Sequence, residues 1–283
     1  MKSRIYHIFK ECFLDIPITE DIFFSLLEYE KCEIIVKKEQ DEIIGYSAVR
    51  ENCIVLLCVA PKFQRMGFGK QLVKESEILI KKNGYDLVIL GGTNSQLFLG
   101  AISEEAEWNQ KHNYFFEKCG YTADNGCVEM VMSLNNYCID NVNVLLNPPN
   151  ITFEYWNKED KTELLSAVKE VEEDWVQYFE YASHFYVAME QGKCVGFTIL
   201  SFDDLTLCSD GHNKVGKVGC VGVIPSKRKG GIGIAMVAHA TNELKKHGCD
   251  ESYIHYTHLD KWYGKLGYQS ILWFWFGKKR IIK

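Results

Sequence analysis

The sequence predicts an α/β fold of mixed α+β layers, built twice along the 283-residue chain. Three observations carry that reading. The run Asn147-Pro148-Pro149-Asn150 punctuates the middle of the chain, and two consecutive prolines forbid helix and interrupt a strand ladder. The stretches on either side repeat each other in one register. Pro225 lies 164 residues after Pro61, and Arg228, Gly231, Gly233 and Gly248 stand at the same distance from Gln64, Gly67, Gly69 and Gly84. Each repeat also shows the order helix, antiparallel strands, helix, strand, helix, strand, which is a layered α/β pattern and not a run of βαβ units. The expected domains are residues 1–146 and 151–283. Each is a mostly antiparallel mixed sheet flanked by helices, and each is long enough to bury its own core.

Taken in order, Glu33 to Lys38 and Ile43 to Arg50 read as strands around a polar turn at Glu39 to Glu42. Phe185 to Glu190 and Cys194 to Phe202 repeat that hairpin around Gln191-Gly192-Lys193, with Gly45 and Gly196 at the same place in the second strand. Cys53 to Val59 and Lys217 to Val223 are strands that run directly into a proline turn. A helix follows in each repeat. Leu72, Val73, Ser76 and Ile80 form one stripe, and Met236, Val237, Ala240 and Leu244 form its counterpart, both at helical period. Leu87 to Leu90 and Ser252 to Tyr256 are the next strands, and the repeats close on Cys119-Gly120-Tyr121 and Leu266-Gly267-Tyr268. Longer connections are expected at Gly91 to Asn113 and at Asp203 to Lys214. Leu272-Trp273-Phe274-Trp275-Phe276 reads as a final strand. Alternation gives it two apolar faces, so it should be covered on both sides, by the other domain or by a partner copy in a homodimer.

Composition narrows the function. A net charge of −6 argues against nonspecific nucleic-acid binding and allows a cationic substrate. Lys278, Lys279, Arg280 and Lys283 read as a solvated tail. The eleven cysteines are scattered, lack a C-x-x-C pair and often sit in apolar runs, as Cys58, Cys194 and Cys220 do. They read as reduced thiols of a cytoplasmic protein, not as a disulfide framework. His255 and His258 lack further ligands at zinc spacing, so no metal is expected. No stretch approaches the 18 apolar residues of a membrane span, and the N-terminus lacks a signal-peptide core.

The loops Gln64-Arg65-Met66-Gly67-Phe68-Gly69 and Arg228-Lys229-Gly230-Gly231-Ile232-Gly233 each join a strand to a helix N-terminus. Glycine lets backbone approach a ligand closely, and the first helical N–H groups are unpaired and sit at the positive end of the helix dipole. Such a loop can cradle a pyrophosphate, and Arg65 and Arg228 can add charge. Gly69-Lys70 is followed by Gln71, and Gly233 by Ile234, so neither loop is a P-loop, and G-x-G-x-x-G is absent from both. What remains is [QR]-x-x-G-x-G after a strand ending in V-x-P, twice in register.

In these residues the chain resembles the GNAT family of acyl-CoA-dependent N-acetyltransferases. The resemblance runs from Leu57-Cys58-Val59-Ala60-Pro61 to Gly69 and from Val221-Gly222-Val223-Ile224-Pro225 to Gly233. It extends more loosely to Gly120-Tyr121 and to Trp262-Tyr263 through Gly267-Tyr268. It implies a tandem GNAT protein with acetyl-CoA as acyl donor. Backbone N–H groups of Arg65, Met66, Gly67, Phe68, Gly69 and Lys70 would hold the pyrophosphate, as would those of Lys229, Gly230, Gly231, Ile232, Gly233 and Ile234. Leu57, Cys58 and Val59, and likewise Val221, Gly222 and Val223, would pair with the pantetheine arm like an added strand and polarise the thioester carbonyl.

The resemblance also places a tyrosine acid four residues before the terminal glycine. That residue is Tyr263 in the second repeat and Phe116 in the first. A phenyl ring donates no proton, and Tyr114 and Tyr121 do not occupy the matching place. Catalysis is therefore expected in the C-terminal repeat, by direct attack of an amine. The base is left open among His255, His258 and water. Glu172, Glu173 and Asp174, on a predicted first helix beside Trp175, Tyr178 and Phe179, are the candidate lining for a small-molecule or peptide amine, with a solvated charged face as the alternative. Two other readings stand beside N-acyl transfer. One is a non-catalytic CoA-binding sensor; the other is acyl transfer to a hydroxyl, a protein N-terminus or a lysine.

Overall fold

The computed structural model describes residues 1–92, 95–104 and 112–281. Part of the expected connection Gly91 to Asn113, and Lys283 of the basic tail, lie outside these. The helices are α1 (Lys2–Cys12), α2 (Glu20–Tyr29), α3 (Phe68–Lys82), α4 (Tyr114–Glu117), α5 (Thr162–Val171), α6 (Val176–Tyr181), α7 (Ile232–Lys246) and α8 (Asp260–Gly264). The strands are β1 (Glu33–Glu39), β2 (Glu42–Arg50), β3 (Cys53–Val59), β4 (Leu87–Leu90), β5 (Ala101–Ile102), β6 (Gly126–Ser133) and β7 (Ile151–Tyr155), followed by β8 (Phe185–Glu190), β9 (Lys193–Ser201), β10 (Val215–Val223), β11 (Glu251–Thr257), β12 (Gln269–Trp275) and β13 (Lys278–Arg280). Among the described residues, no helix is long and apolar enough to cross a membrane.

The chain forms two compact units that do not follow the contiguous stretches 1–146 and 151–283. Unit 1 holds Met1–Val128, Leu205–His212 and Leu272–Lys283, and unit 2 holds Glu129–Asp204 and Asn213–Ile271. Each unit thus takes a strand segment from the other half of the sequence. The reason is visible in the aromatic run. Phe274 packs in a core with Phe9, Phe23 and Phe98, while Trp275 packs in another with Val73, Ile80 and Phe116. Both faces of the strand are buried by residues of the first half, which is where its apolar area finds cover.

The sheet of unit 1 runs β1-β2-β3-β4-β13. Only β3–β4 is parallel, at Cys53↔Ile89 and Ile54↔Leu90. Lys278, Lys279 and Arg280 of the basic tail form a strand, β13, paired antiparallel with β4, with Lys278 and Arg280 exposed as expected. Lys279 Nζ lies 2.7 Å from Glu77 and over the Tyr121 ring, and Lys278 pairs with Asp124. The aromatic run is accordingly the last strand but one.

In unit 2, β7, β8, β9, β10, β11 and the Glu129–Ser133 part of β6 lie side by side in that order. A Cβ on Gly196 would come within 3.5 Å of Met236 on α7 and 3.2 Å of Ala188, so α7 covers that face. Phe197, the next residue, points to the opposite face and packs with Leu164, Val168, Phe179 and Val187. That is the face of α5 and α6. The predicted helix over Glu172–Asp174 is interrupted there. Glu172 is extended (φ −158°, ψ 107°) and Glu173–Trp175 forms a 3-10 turn, so the three acids sit on an exposed corner between α5 and α6.

Candidate active site

The site of unit 2 grows out of the end of β10. Its antiparallel pairing with β9 slips between Gly219 and Gly222, where Cys220 takes φ +49°. This is a bulge, which turns the strand and frees backbone groups from the ladder. On the other side, β10 pairs in parallel with β11 only from Val215↔Glu251 to Lys217↔Tyr253. Beyond Tyr253 the two strands share no register pairs, although β10 continues to Val223 and β11 to Thr257. The edge Val221-Gly222-Val223 is therefore open to an extended ligand.

At the end of that edge the Arg228 guanidinium donates from Nε to the Val223 carbonyl at 3.0 Å. Gln64 does the same in unit 1, its Nε2 donating to Val59 O at 2.9 Å. The first residue of the repeated motif thus pins the loop back onto its strand. The loops then bend identically. Lys229 and Gly231 take φ +71° and +80°, and Arg65 and Gly67 take φ +63° and +91°. Gly67 and Gly231 are the left-handed N-caps of α3 and α7, a conformation that strongly favours glycine. Neither cap uses a side chain, so the first helical N–H groups are left for an anion.

Val221, Gly222, Val223, Arg228, Lys229, Gly231, Ile232, Gly233, Ile234 and Tyr263 line one cavity of about 320 Å³. Of the C-terminal residues expected from sequence, Gly230 is the one that does not line it. Lys227, Leu259 and Trp262 complete the lining, and none of them is assigned a binding role by the sequence. The lining carries three cationic side chains and no carboxylate, with apolar walls behind them. That division suits a diphosphate joined to an uncharged arm. Lys227 is held by Glu190 at 2.5 Å. Trp262 stands where a Cβ on Gly233 would meet it at 3.6 Å, so a side chain there would fill the cradle.

Tyr263 comes from the short helix α8 and is only 6% exposed. Its ring meets Trp262 at 4.8 Å and Tyr268 at 5.9 Å, both edge-on. Tyr268 is anchored through its hydroxyl to Thr241 at 2.8 Å and Ser252 at 2.6 Å. The Tyr263 hydroxyl has no hydrogen-bond partner among the described residues. Burial first, then Tyr268 and Cys220, push its phenol well above the usual range, so it keeps its proton at neutral pH. Burial alone pushes the Cys220 thiol up to about 12, and a protonated thiol is a poor nucleophile.

In unit 1 the matching edge Leu57-Cys58-Val59 pairs with Ser47, Tyr46 and Gly45 of β2 without a slip. Phe116 is buried against Tyr121, and Phe115 takes the place of Trp262, 3.0 Å from a Cβ built on Gly69. Tyr121 gives its hydroxyl to Glu77 at 3.0 Å, and Tyr114 is exposed. Met66 and Lys70 are exposed and Phe68 half-buried.

The Acetyltransferase (GNAT) family model matches residues 150–268, and the Acetyltransferase (GNAT) domain model matches residues 30–123. The chain belongs to the GNAT family, in tandem form. Among solved structures it is similar to a GCN5-related glucosamine N-acetyltransferase region of a fungal multi-domain GH3 β-N-acetylglucosaminidase. The TM-score is 0.79 at 23% identity, covering 98% of this chain and 37% of that one. The chain therefore spans little over a third of that protein's length. It is also similar to a GCN5-related N-acetyltransferase from Sphaerobacter thermophilus (TM-score 0.70, 18% identity, 100% and 94% covered). A tandem GNAT protein from the clavulanic acid biosynthesis pathway follows (0.66, 12%, 99% and 94%). At these identities the likeness is one of fold. No curated protein matches the chain.

Proposed function

We propose that unit 2 transfers an acetyl group from acetyl-CoA to a primary amine by direct attack in a ternary complex. In this reading the sequence repeats 1–146 and 151–283 have diverged, and the second alone carries the chemistry. The observation that carries it is the meeting, in one cavity, of the glycine cradle, the open edge Val221–Val223 and the buried phenol of Tyr263. The loop N–H groups and Arg228 and Lys229 hold the diphosphate. The open edge aligns the arm and offers a backbone N–H to the thioester oxygen as it gains charge. The amine nitrogen forms the new C–N bond, the C–S bond breaks, and Tyr263 gives its proton to the departing thiolate. The high thiol pKa of Cys220 favours this route over a covalent acyl-enzyme. Unit 1 keeps the cradle but presents Phe116 in place of the acid, which supports donor binding or scaffolding there without turnover.

The acceptor is a small-molecule or peptide amine, and the exposed acids Glu172–Asp174 are the candidate lining for it. The similar fungal region is named for glucosamine, so an amino sugar heads the panel to be tested. The test is release of free CoA thiol from acetyl-CoA against amino sugars, polyamines, arylalkylamines and lysine peptides. Amine-dependent release is expected for one class. Tight acetyl-CoA binding with no release for any amine would replace the enzyme by a CoA sensor.

A further inference from the structure

One cluster in unit 2 takes no part in the account above. Glu129, on the β6 segment that begins unit 2, is 0% exposed. It stands inside the apolar run Cys127-Val128-Glu129-Met130-Val131-Met132. A buried carboxylate is costly unless paired, so its partners matter. One oxygen accepts the Tyr253 hydroxyl. The other, Oε1, has no well-aligned hydrogen bond, and facing it at 2.5 Å is Nδ1 of His255.

His255 stands two residues past Tyr253, the last β11 residue paired with β10. It therefore lies on the stretch of β11 that borders the opening between the strands, next to the cavity and not in its lining. Its face is also fixed. A Cβ on Gly216 would meet Leu244 of α7 at 2.9 Å, so Gly216 and its partner Ser252 face α7. Tyr253 and His255 alternate to the other face, and their rings lie 6.3 Å apart. That is the face of α5 and α6, whereas Tyr263 rests on Tyr268, which is tied to Ser252 and to Thr241 of α7. The side chain of His255 is one-quarter exposed, and its Nε2 has no partner among the described residues.

We propose that His255 Nε2 is the base that takes the proton from the attacking amine, and that Glu129 is its positioning residue. The proposal rests on the acyl-transfer reading and deepens it. Glu129 holds the neutral ring with its proton on Nδ1, which leaves the Nε2 lone pair free. Amine and thioester then become amide and thiol with protons balanced. One proton leaves the nitrogen for His255 on the α5–α6 face, and one reaches sulfur from Tyr263 on the α7 face. Solvent resets both groups. The centre so built is incomplete without the first half of the sequence, because Glu129 comes from there.

Two measurements on the full chain test this. The first needs no acceptor: ¹⁵N spectra of the histidine rings, assigned with His255→Gln. Neutral His255 is expected as the Nδ1–H tautomer in the wild type, and this preference is expected to be lost in Glu129→Gln. An Nε2–H tautomer in the wild type overturns the positioning role whether or not the protein is an enzyme. The second uses thiol release with the amine that the panel identifies. His255→Ala is expected to lower kcat by about 10²-fold, with KM for acetyl-CoA unchanged. Added imidazoles should restore rate in the order of their basicity. Glu129→Gln should also lower kcat, by at least about ten-fold. If Glu129→Gln fails to fold, His255→Ala decides alone. Wild-type rates in His255→Ala, or loss without imidazole rescue, overturn the base. Absence of release by the wild type with every amine defeats the acyl-transfer reading, and the base with it.

Discussion

Replacing Tyr263 by Phe is the sharpest test of the acid. The substitution removes one hydroxyl and leaves the ring contacts with Trp262 and Tyr268 in place. No hydrogen bond within the described residues is lost, so the melting temperature should stay within about 2 °C of wild type. The chemical cost is larger. A positioned acid is worth about 10²-fold, which corresponds to ~2.7 kcal/mol of barrier. In the proposed reading the loop of Lys229 to Gly233 holds the diphosphate, so KM for acetyl-CoA should change by less than about two-fold, a split expected when an interaction made only in the transition state is removed. The assay is steady-state thiol release at saturating acetyl-CoA and amine, with melting followed by circular dichroism. The pH profile adds a second reading. Burial holds the phenol above its ordinary value of 10, so wild-type kcat should show no fall from this group up to about pH 10. A Tyr263→Phe enzyme with kcat within about three-fold of wild type would refute the assignment.

Three further outcomes follow from the structure. In Gly222→Ala the new Cβ would lie 2.3 Å from the Phe197 ring, which lies in the core beneath α5. A loss of about 1–3 kcal/mol is expected, read as the shift of the urea midpoint, and an unchanged midpoint contradicts the packing. Arg228→Ala unpins the loop from Val223 O and should raise KM for acetyl-CoA several-fold with kcat nearly constant, whereas the equivalent Gln64→Ala in unit 1 should leave turnover unchanged. Burial raises the phenols of Tyr186 and Tyr268 to about 12 and that of Tyr263 further. Because these groups bind their protons more tightly when folded, their stabilising contribution is fully present below pH ~10 and is lost as pH rises above it. Urea midpoints should therefore be flat to pH ~10 and then fall, and a midpoint still flat at pH 11.5 would contradict the burial.

The duplication, the strand-loop-helix unit and the cradle were legible because each depends on short-range chemistry. A left-handed N-cap needs glycine at 67 and 231, and a helix packed on a sheet needs its stripe at helical spacing; both leave marks within a few residues. Tyr263 came from the resemblance, which places a tyrosine four residues before the terminal glycine, and the structure puts that residue in the lining of the cavity. The break between α5 and α6 was not legible, because Glu172, Glu173 and Asp174 are all compatible with helix and nothing in their order marks the extended Glu172. The basic tail misled because its charges suit solvent equally well. Its backbone pairs with β4 and Lys279 meets Glu77, and those partners are about 190 to 200 residues away in sequence.

The sequence by itself determined that two GNAT-like repeats exist, where each glycine loop lies, and that the second repeat has Tyr263 where the first has Phe116. The tertiary structure alone decided which strand segments complete each unit, that Lys227, Leu259 and Trp262 complete the lining of the cavity, and that Glu129 meets His255. Local patterns encode backbone conformation and burial, but an approach between side chains 126 positions apart is written nowhere in local spacing. It exists because the β6 segment from Glu129 is laid beside β11, where its one buried acid finds an imidazole.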